Sequence, residues 1–358
     1  MMPKENNSES VALRLRLEAA GWRPGQRIVT EGFSPRKRKL LLNWLKPWMG
    51  DEAASVCFVW GARRASTTQL PCIWVEDGML RSVGLGADLV QPISWVFDTR
   101  GMYFDASGPS DLEHLLKNHP FHAESVERAA ALRKLLVDMK ITKYNLAGDA
   151  WQRPAQASHV ILVAGQVESD ASIRLGSAHI SSNMALLEAV RRMRPNSFIL
   201  YKPHPDVQAG LRAGALPAQA QKFYDELVTL ADTNHLYSQV DELHVISSLS
   251  GFEALLRGLK VVCHGMPFYA GWGLCEAPNL SSEAMARRGR VLSVDEMVAG
   301  VLLEYASYCS PVDGSICSAE QAVRMLAEQA ANKSSSSTIF TKPKRMALAA
   351  WARWRGYF

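Results

Sequence analysis

A chain of 358 residues exceeds the size at which single hydrophobic cores usually stop growing, about 250 to 300 residues, so two domains are expected. With 47% hydrophobic and 21% charged residues, the composition excludes a disordered chain, a collagen-like repeat and a many-span membrane protein. The net charge of +5 belongs to residues 333–358, where Lys333, Lys342, Lys344, Arg345, Arg353 and Arg355 stand without an acid and leave the remainder near neutrality. That distribution speaks against a nucleic-acid-binding body, which needs cations on a folded face, and leaves a tail able to meet anionic lipid.

At the N-terminus, Glu9, Arg14, Arg16 and Glu18 interrupt the apolar positions, so neither a signal peptide nor a membrane span is read and a cytoplasmic location is expected. Ser34 followed by Pro35 opens a helix over PRKRKLLLNWL. The apolar runs VCFVW (56–60) and CIWV (72–75) read as strands buried on both faces, as do VILV (160–163), FILY (198–201), HVI (244–246) and KVVC (260–263). Residues 124–145 form one helical pattern ending in a polar turn, which sets the expected boundary between domains 1–150 and 151–332. Ser182 opens NMALLEAVRRM, which stops before Pro195. Strands alternating with helices predict an α/β fold with parallel sheets. A final helix, CSAEQAVRMLAEQAA, is followed by NKSSSST, a flexible linker by composition, which leads into the basic aromatic tail, 333–358.

Three polar loops leave the carboxyl ends of strands in the second half, where open α/β sheets bind ligands. KPHP (202–205) places Lys202 and His204 where a phosphate could be held, although two prolines would stop a strand in any case. SSLSGFEALLRG (247–258) brings Ser247, Ser248 and Ser250 to a helix start. Ordinary capping, with Glu253 closing a capping box on Ser250, explains that segment equally well. GQVESDAS (165–172) carries Glu168 and Asp170, and VEDG (75–78) carries Glu76 and Asp77. Carboxylates facing each other across a cleft suit glycosyl chemistry, one at the anomeric carbon and one handling a proton. Asp88, Asp98, Asp105 and Asp111 read as solvated loop acids. PFYAGWGL (267–274) either covers a base or sugar or plugs a domain interface.

GLGAD (84–88) lacks the third glycine of a dinucleotide loop, so no NAD site is expected. Six cysteines without a CxxC pair read as reduced thiols, and His119, His122, His159, His179 and His235 lack ligand spacing, so no metal is expected.

Taken together, EGFSPRKRKLL (31–41), residues 75–116, KYN (143–145), GQVESDASI (165–173), YKPHPDV with GLRAG (201–214) and residues 247–274 resemble the capsule polysaccharide biosynthesis family of KpsC or LipB type. The resemblance implies a sialyltransferase-like GT-B fold, two Rossmann-like domains facing a cleft. It implies a retaining β-Kdo glycosyltransferase that uses CMP-Kdo and builds a poly-Kdo linker on a glycolipid acceptor for capsule export. No further cofactor is implied. Full KpsC proteins carry two such modules, and this sequence is more similar to the second, implied to form the β-2,7 linkage. A second Kdo transferase and the capsule export machinery are therefore expected partners, with the inner-membrane surface reached through the tail. By the same resemblance, the acid of the QVxxD motif falls on Asp170, the HP histidine on His204, the paired serines on Ser247 and Ser248, and the acidic pair on Glu76 and Asp77. Asp170 is the expected nucleophile with Glu168 as the alternative, Glu76 the expected base, and Lys202, His204, Ser247, Ser248 and Glu253 the expected donor and phosphate side. Another CMP- or UDP-sugar transferase, or a non-catalytic glycan-binding subunit of the export machinery, stays open.

Overall fold

The computed structural model describes residues 8–61, 69–84, 90–146, 148–208, 210, 212 and 214–335. The basic aromatic segment 336–358 and most of GLGAD, including Asp88, lie outside the described residues.

Two sheets organise the chain. The first contains β1 (Val29–Glu31), β2 (Cys57–Trp60), β3 (Cys72–Asp77), β4 (Ser94–Asp98), β10 (Ala306–Cys309) and β11 (Ile316–Cys317) in that spatial order. The second has the order β7 (Glu226–Leu227), β6 (Phe198–Lys202), β5 (Val160–Ala164), β8 (Glu242–Val245), β9 (Lys260–Cys263) and is parallel throughout. All six apolar runs fall on strands, and β5 and β8 are buried along their whole lengths, as strands covered on both faces must be. The first sheet is parallel only from β1 to β3; β4, β10 and β11 add to it antiparallel. The segment between β3 and β4 contains no crossover helix among its described residues, and without a crossover a strand returns antiparallel.

Local signals decide the helices. Ser34 caps Pro35–Leu45 by accepting from the Lys37 N–H, and Ser182 caps Asn183–Met193 by accepting from the Ala185 N–H. The long helical pattern ends sooner than expected: the helix runs Ala123–Asp138, and Lys140 and Asn145 then take left-handed φ values of 54° and 49°. Residues 139–145 are therefore a shaped turn between the two units.

The expected 151–332 domain needs a correction at its C-terminal end. Ala306 pairs with Val96 of β4, and Tyr308 pairs with both Ser94 of β4 and Cys317 of β11, so the chain crosses back and completes the first sheet. The following helix, Ala319–Ser335, continues through the start of the expected serine-rich linker and reaches Ala123–Asp138 through Arg128 Nε and Glu320 Oε1, 2.8 Å apart. One hydrophobic cluster continues through both units, containing Val96, Leu116 and Leu132 together with Leu162, Leu243 and Tyr305. A second, with Leu41, Trp44, Phe58 and Trp95, fills the other face of the first sheet. Buried Glu113 adds a polar tie, accepting from Arg287 Nε at 2.7 Å and from Arg288 Nε at 2.9 Å. Removing one member of such a buried set costs more than the set contributes, because a charge is left unpaired.

Asp98 is a second correction: it is fully buried rather than solvated. Its carboxylate accepts the N–H groups of Arg100, Gly101 and Asp111 and the Tyr305 hydroxyl. Burial and the nearby Asp111 charge push it up to about 6. Asp105 and Asp111 remain local, accepting from Ser107 and pairing with Arg100 respectively. Among the described residues no helix is long and apolar enough to cross a membrane.

Candidate active site

A cleft of about 360 Å³ opens where the carboxyl ends of β3, β5, β6 and β8 converge. The first unit contributes Glu76, Asp77, Arg81 and Tyr103, the connecting turn Lys143 and Tyr144, and the second unit Asp170, Lys202, His204, Ser247, Ser248 and Glu253.

Glu76 and Asp77 are consecutive on β3 and meet opposite surroundings. The Asp77 carboxylate accepts from Arg81 Nε at 2.9 Å and from the Trp95 indole N–H at 3.1 Å. Burial works against its charge, but Arg81 and Lys37 outweigh burial and hold it below the usual carboxylate range. Glu76 accepts only the Asp77 N–H among the described hydrogen bonds, and burial pushes it up to about 7, with Lys37 opposing and Asp77 adding to the rise. Two adjacent acids are thus separated into a fixed anion and a group that exchanges a proton near neutrality.

Across the cleft, Asp170 caps the short helix Ala171–Gly176, its Oδ1 accepting from the Ser172 N–H and hydroxyl at 3.0 Å each, and it remains exposed to solvent. Glu168, two residues earlier, does not line the cleft. Its Oε1 accepts the Asn183 N–H at 2.8 Å, at the first turn of the Asn183–Met193 helix. The structure therefore puts Asp170, the expected nucleophile, at the cleft and turns Glu168, the alternative, to the neighbouring helix.

The anion-friendly loops do meet. Ser247 accepts no cap; its N–H donates to Gln166 Oε1 at 2.8 Å and its hydroxyl to the Ser172 carbonyl at 2.9 Å, which ties this loop to the one carrying Asp170. Ser248, not Ser250, is the N-cap of helix Leu249–Leu256, accepting from the Ser250 N–H. The expected capping box is absent because Glu253 is engaged elsewhere: its carboxylate accepts the Lys143 N–H at 2.6 Å and the Tyr237 hydroxyl at 3.1 Å. Burial raises the Glu253 pKa. It thereby joins the second unit to the connecting turn.

His204 Nδ1 accepts the Asp206 N–H at 3.1 Å, which places the ring proton on Nε2 and leaves that nitrogen as a donor. Burial lowers the imidazole pKa, with Asp206 opposing, so the ring is neutral at pH 7. Lys202 is also depressed by burial, and its ammonium donates to the Ala231 carbonyl at 2.7 Å. In PFYAGWGL, Phe268 lines the cleft whereas Tyr269 and Trp272 are fully buried. A side chain at Gly251 would collide with the Tyr269 hydroxyl, so the serine loop and this aromatic plug require each other.

Sequence reasoning missed Arg81, Tyr103 and Lys143 as cleft residues. KYN was visible, but a lysine in a polar turn gives no local sign that the turn is wedged between two sheets. It also missed the buried His244 and His264, whose rings touch through Nδ1 and Nε2 at 2.9 Å. Among the described residues no three His, Cys, Asp or Glu side chains are grouped to hold a metal.

Two α/β units facing a cleft, with anion-friendly loops on one side and carboxylates on both, define a GT-B-like protein. A family model described as "Capsule polysaccharide biosynthesis protein" matches residues 59–308, and the chain belongs to that family. It is 43% identical over 268 residues to "Capsule polysaccharide modification protein LipA" of Neisseria meningitidis serogroup B, a match covering 75% of this chain and 38% of LipA. The chain thus spans well under half of that relative. It is 38% identical to "Lipopolysaccharide-processing protein LpsZ" of Rhizobium meliloti over 74% of this chain and 60% of LpsZ. Among solved structures, "Thermosulfurimonas dismutans KpsC, beta Kdo 2,7 transferase" superposes with a TM-score of 0.70 at 35% identity, covering 85% of this chain and 99% of that one. The corresponding "beta Kdo 2,4 transferase" superposes with a TM-score of 0.73 at 29% identity, covering 84% and 98%.

Proposed function

We propose that this cleft transfers Kdo from CMP-Kdo, with retention of the β configuration, to a Kdo-bearing glycolipid in capsule polysaccharide assembly. The observation that carries the reading is the convergence of Glu76 from the first unit with Asp170, His204, Ser247 and Ser248 from the second around one cleft. The likeness to two Kdo transferases supports it.

In this reading Asp170 attacks the anomeric C2 as the C2–O bond to phosphate breaks, and CMP leaves with the bonding pair. A phosphate leaving group needs charge stabilisation more than protonation, which His204 Nε2–H, Lys202 and the Ser247–Ser248 loop supply. The acceptor hydroxyl then attacks C2 from the face CMP vacated, Glu76 takes its proton, and the Asp170 carboxylate is released. Two inversions at C2 retain configuration. The higher identity to the 2,7 transferase favours that linkage; the TM-scores order the two the other way, but they measure backbone path rather than the residues that select a hydroxyl. Alternating linkages would call for a second transferase activity, with the capsule export machinery downstream.

The direct test incubates the protein with freshly generated CMP-Kdo and synthetic mono- and di-Kdo glycolipids and reads products by mass and NMR, with CMP-sialic acid and UDP-sugars as alternative donors. Transfer from a UDP-sugar alone, or glycan binding without CMP release, would refute the reading.

His204→Ala is expected to lower CMP-Kdo use by about 10- to 150-fold, the equivalent of one charge-assisted hydrogen bond, with little change in acceptor KM. Steady-state kinetics with each substrate varied in turn checks this. Peripheral attachment to the inner membrane is proposed for the tail: Leu348, Trp351, Trp354 and Phe358 fall on one side of a helical projection and Arg345 and Arg353 on the other, while Arg355 falls near the apolar edge, from which a long side chain can snorkel outward. Each cation near an anionic surface contributes about 1 kcal/mol. Truncation after Asn332 should abolish sedimentation with anionic liposomes and spare transfer to short soluble acceptors; loss of that soluble activity would show that the tail is part of the fold.

A further inference from the structure

The turn between the two units is held from both sides. The Lys143 N–H donates to Glu253 Oε1 at 2.6 Å, and the Lys143 carbonyl accepts the Ser82 N–H at 3.2 Å. The Tyr144 carbonyl accepts the Gly84 N–H at 2.8 Å, and the Asn145 side chain donates to the Ser82 carbonyl at 3.0 Å. Thr142 and Asn145 close the turn on each other, the Thr142 N–H donating to Asn145 Oδ1 at 2.9 Å and the Asn145 N–H to Thr142 Oγ1 at 3.1 Å. With the turn so held, the Lys143 side chain lines the cleft.

Of the cations at or near the cleft, Arg81 pairs with Asp77 and Arg287 and Arg288 with Glu113, whereas Lys202 donates to the Ala231 carbonyl. The Lys143 ammonium has no carboxylate within ion-pair distance among the described residues; it lies over the Tyr144 ring, 5.4 Å from its centroid. Its charge nevertheless acts on Glu76, Asp77, His204 and Glu253. Burial disfavours the ammonium, but Tyr144, Tyr103 and Asp77 keep its pKa above the ordinary value, so it stays charged. A half-buried ammonium without a counter-ion is stabilised when a ligand supplies the anion.

We propose that Lys143 binds the sugar carboxylate of the donor, which makes the cleft selective for nucleotide-activated ulosonic acids; this rests on the transfer function proposed above. Phosphate is provided for from the second unit by His204, Lys202 and the serine loop. Lys143 enters from the connecting turn beside Tyr103 and Glu76, on the side where the sugar would meet the acceptor. In a 2-ulosonic acid the carboxylate is bonded to the anomeric C2 itself. Holding it therefore positions C2 between the candidate nucleophile Asp170 and the candidate base Glu76. A neutral sugar nucleotide has no group to meet the ammonium and leaves it unpaired, which is how polar sites reject analogues most strongly.

The test uses the full chain and a non-transferable 3-fluoro CMP-Kdo together with its C1 carboxamide, binding being read by calorimetry. The wild type is expected to prefer the carboxylate by about 10- to 150-fold, the value of a charge-assisted contact. In Lys143→Met the preference should collapse to within about threefold while CMP itself binds as before, and Lys143→Arg should restore much of it. An unchanged preference in Lys143→Met overturns the proposal. So does an equal loss of CMP binding, which would assign Lys143 to the phosphate. A wild type that binds CMP but gains nothing from the ulosonic acid overturns the donor assignment as well, and a loss of thermal stability shared by the Met and Arg variants would mark Lys143 as structural.

Discussion

Asp170→Asn is expected to lower transfer by about 10³-fold or more, the order lost when a covalent catalyst is removed, and to leave the fold intact. The structure supplies the reason the fold should survive. Asp170 is the N-cap of Ala171–Gly176 and accepts from Ser172, and asparagine is an equally good N-cap with the same acceptor oxygen. The substitution therefore removes nucleophilicity with little change in shape. Intact-mass analysis with an activated donor should find the sugar adduct in the wild type and none in the variant. Glu168→Gln is the matched comparison: its carboxylate caps the neighbouring helix, so a modest loss of stability with most turnover retained is expected. Reversal of the two outcomes, or an adduct trapped on another residue, would move the nucleophile away from Asp170.

Glu76→Gln should lower kcat by about 10²- to 10⁴-fold, the usual contribution of a positioned general base. The sharper signature is in pH dependence. Burial raises Glu76 to about 7, and only its ionised form accepts the acceptor proton, so the wild-type rate should rise as pH increases through about 7. The Gln variant should lose that limb and keep a flat residual rate. Linkage predicts the opposite slope for stability. A carboxyl whose pKa is higher folded than unfolded binds more protons in the folded state, so it erodes stability as pH rises from its unfolded value toward 7, and Gln removes that erosion. A wild-type profile without a limb near 7, or an unchanged profile in the variant, would assign the base elsewhere. Asp77→Asn should behave differently, since Asp77 holds Arg81 and Trp95 rather than an exchangeable proton.

Much of the fold was readable because its signals are short-range. The runs VCFVW and VILV are apolar throughout because both faces of their strands are covered, and Ser34 and Ser182 cap helices a few residues away. The strands Ser94–Asp98 and Ala306–Cys309 were not readable, since their compositions are mixed and the second finds its partner across about two hundred residues of chain. For the same reason the domain boundary failed at its C-terminal end. Spacing could not distinguish Asp98 from a solvated acid, because its acceptors are filled by backbone N–H groups and by the distant Tyr305 hydroxyl.

The sequence by itself determined the α/β class, the loops at the strand ends and the membership of those loops in one recurring set, since each depends on residues a few positions apart. Tertiary structure alone decided that Glu168 turns away from the cleft, that Arg81 holds Asp77 but not Glu76, that Glu253 fastens the connecting turn instead of capping its own helix, and that Lys143 has no carboxylate partner among the described residues. Those properties follow from burial and from partners brought in by the opposite unit, and neither desolvation nor a long-range counter-charge is encoded in local spacing.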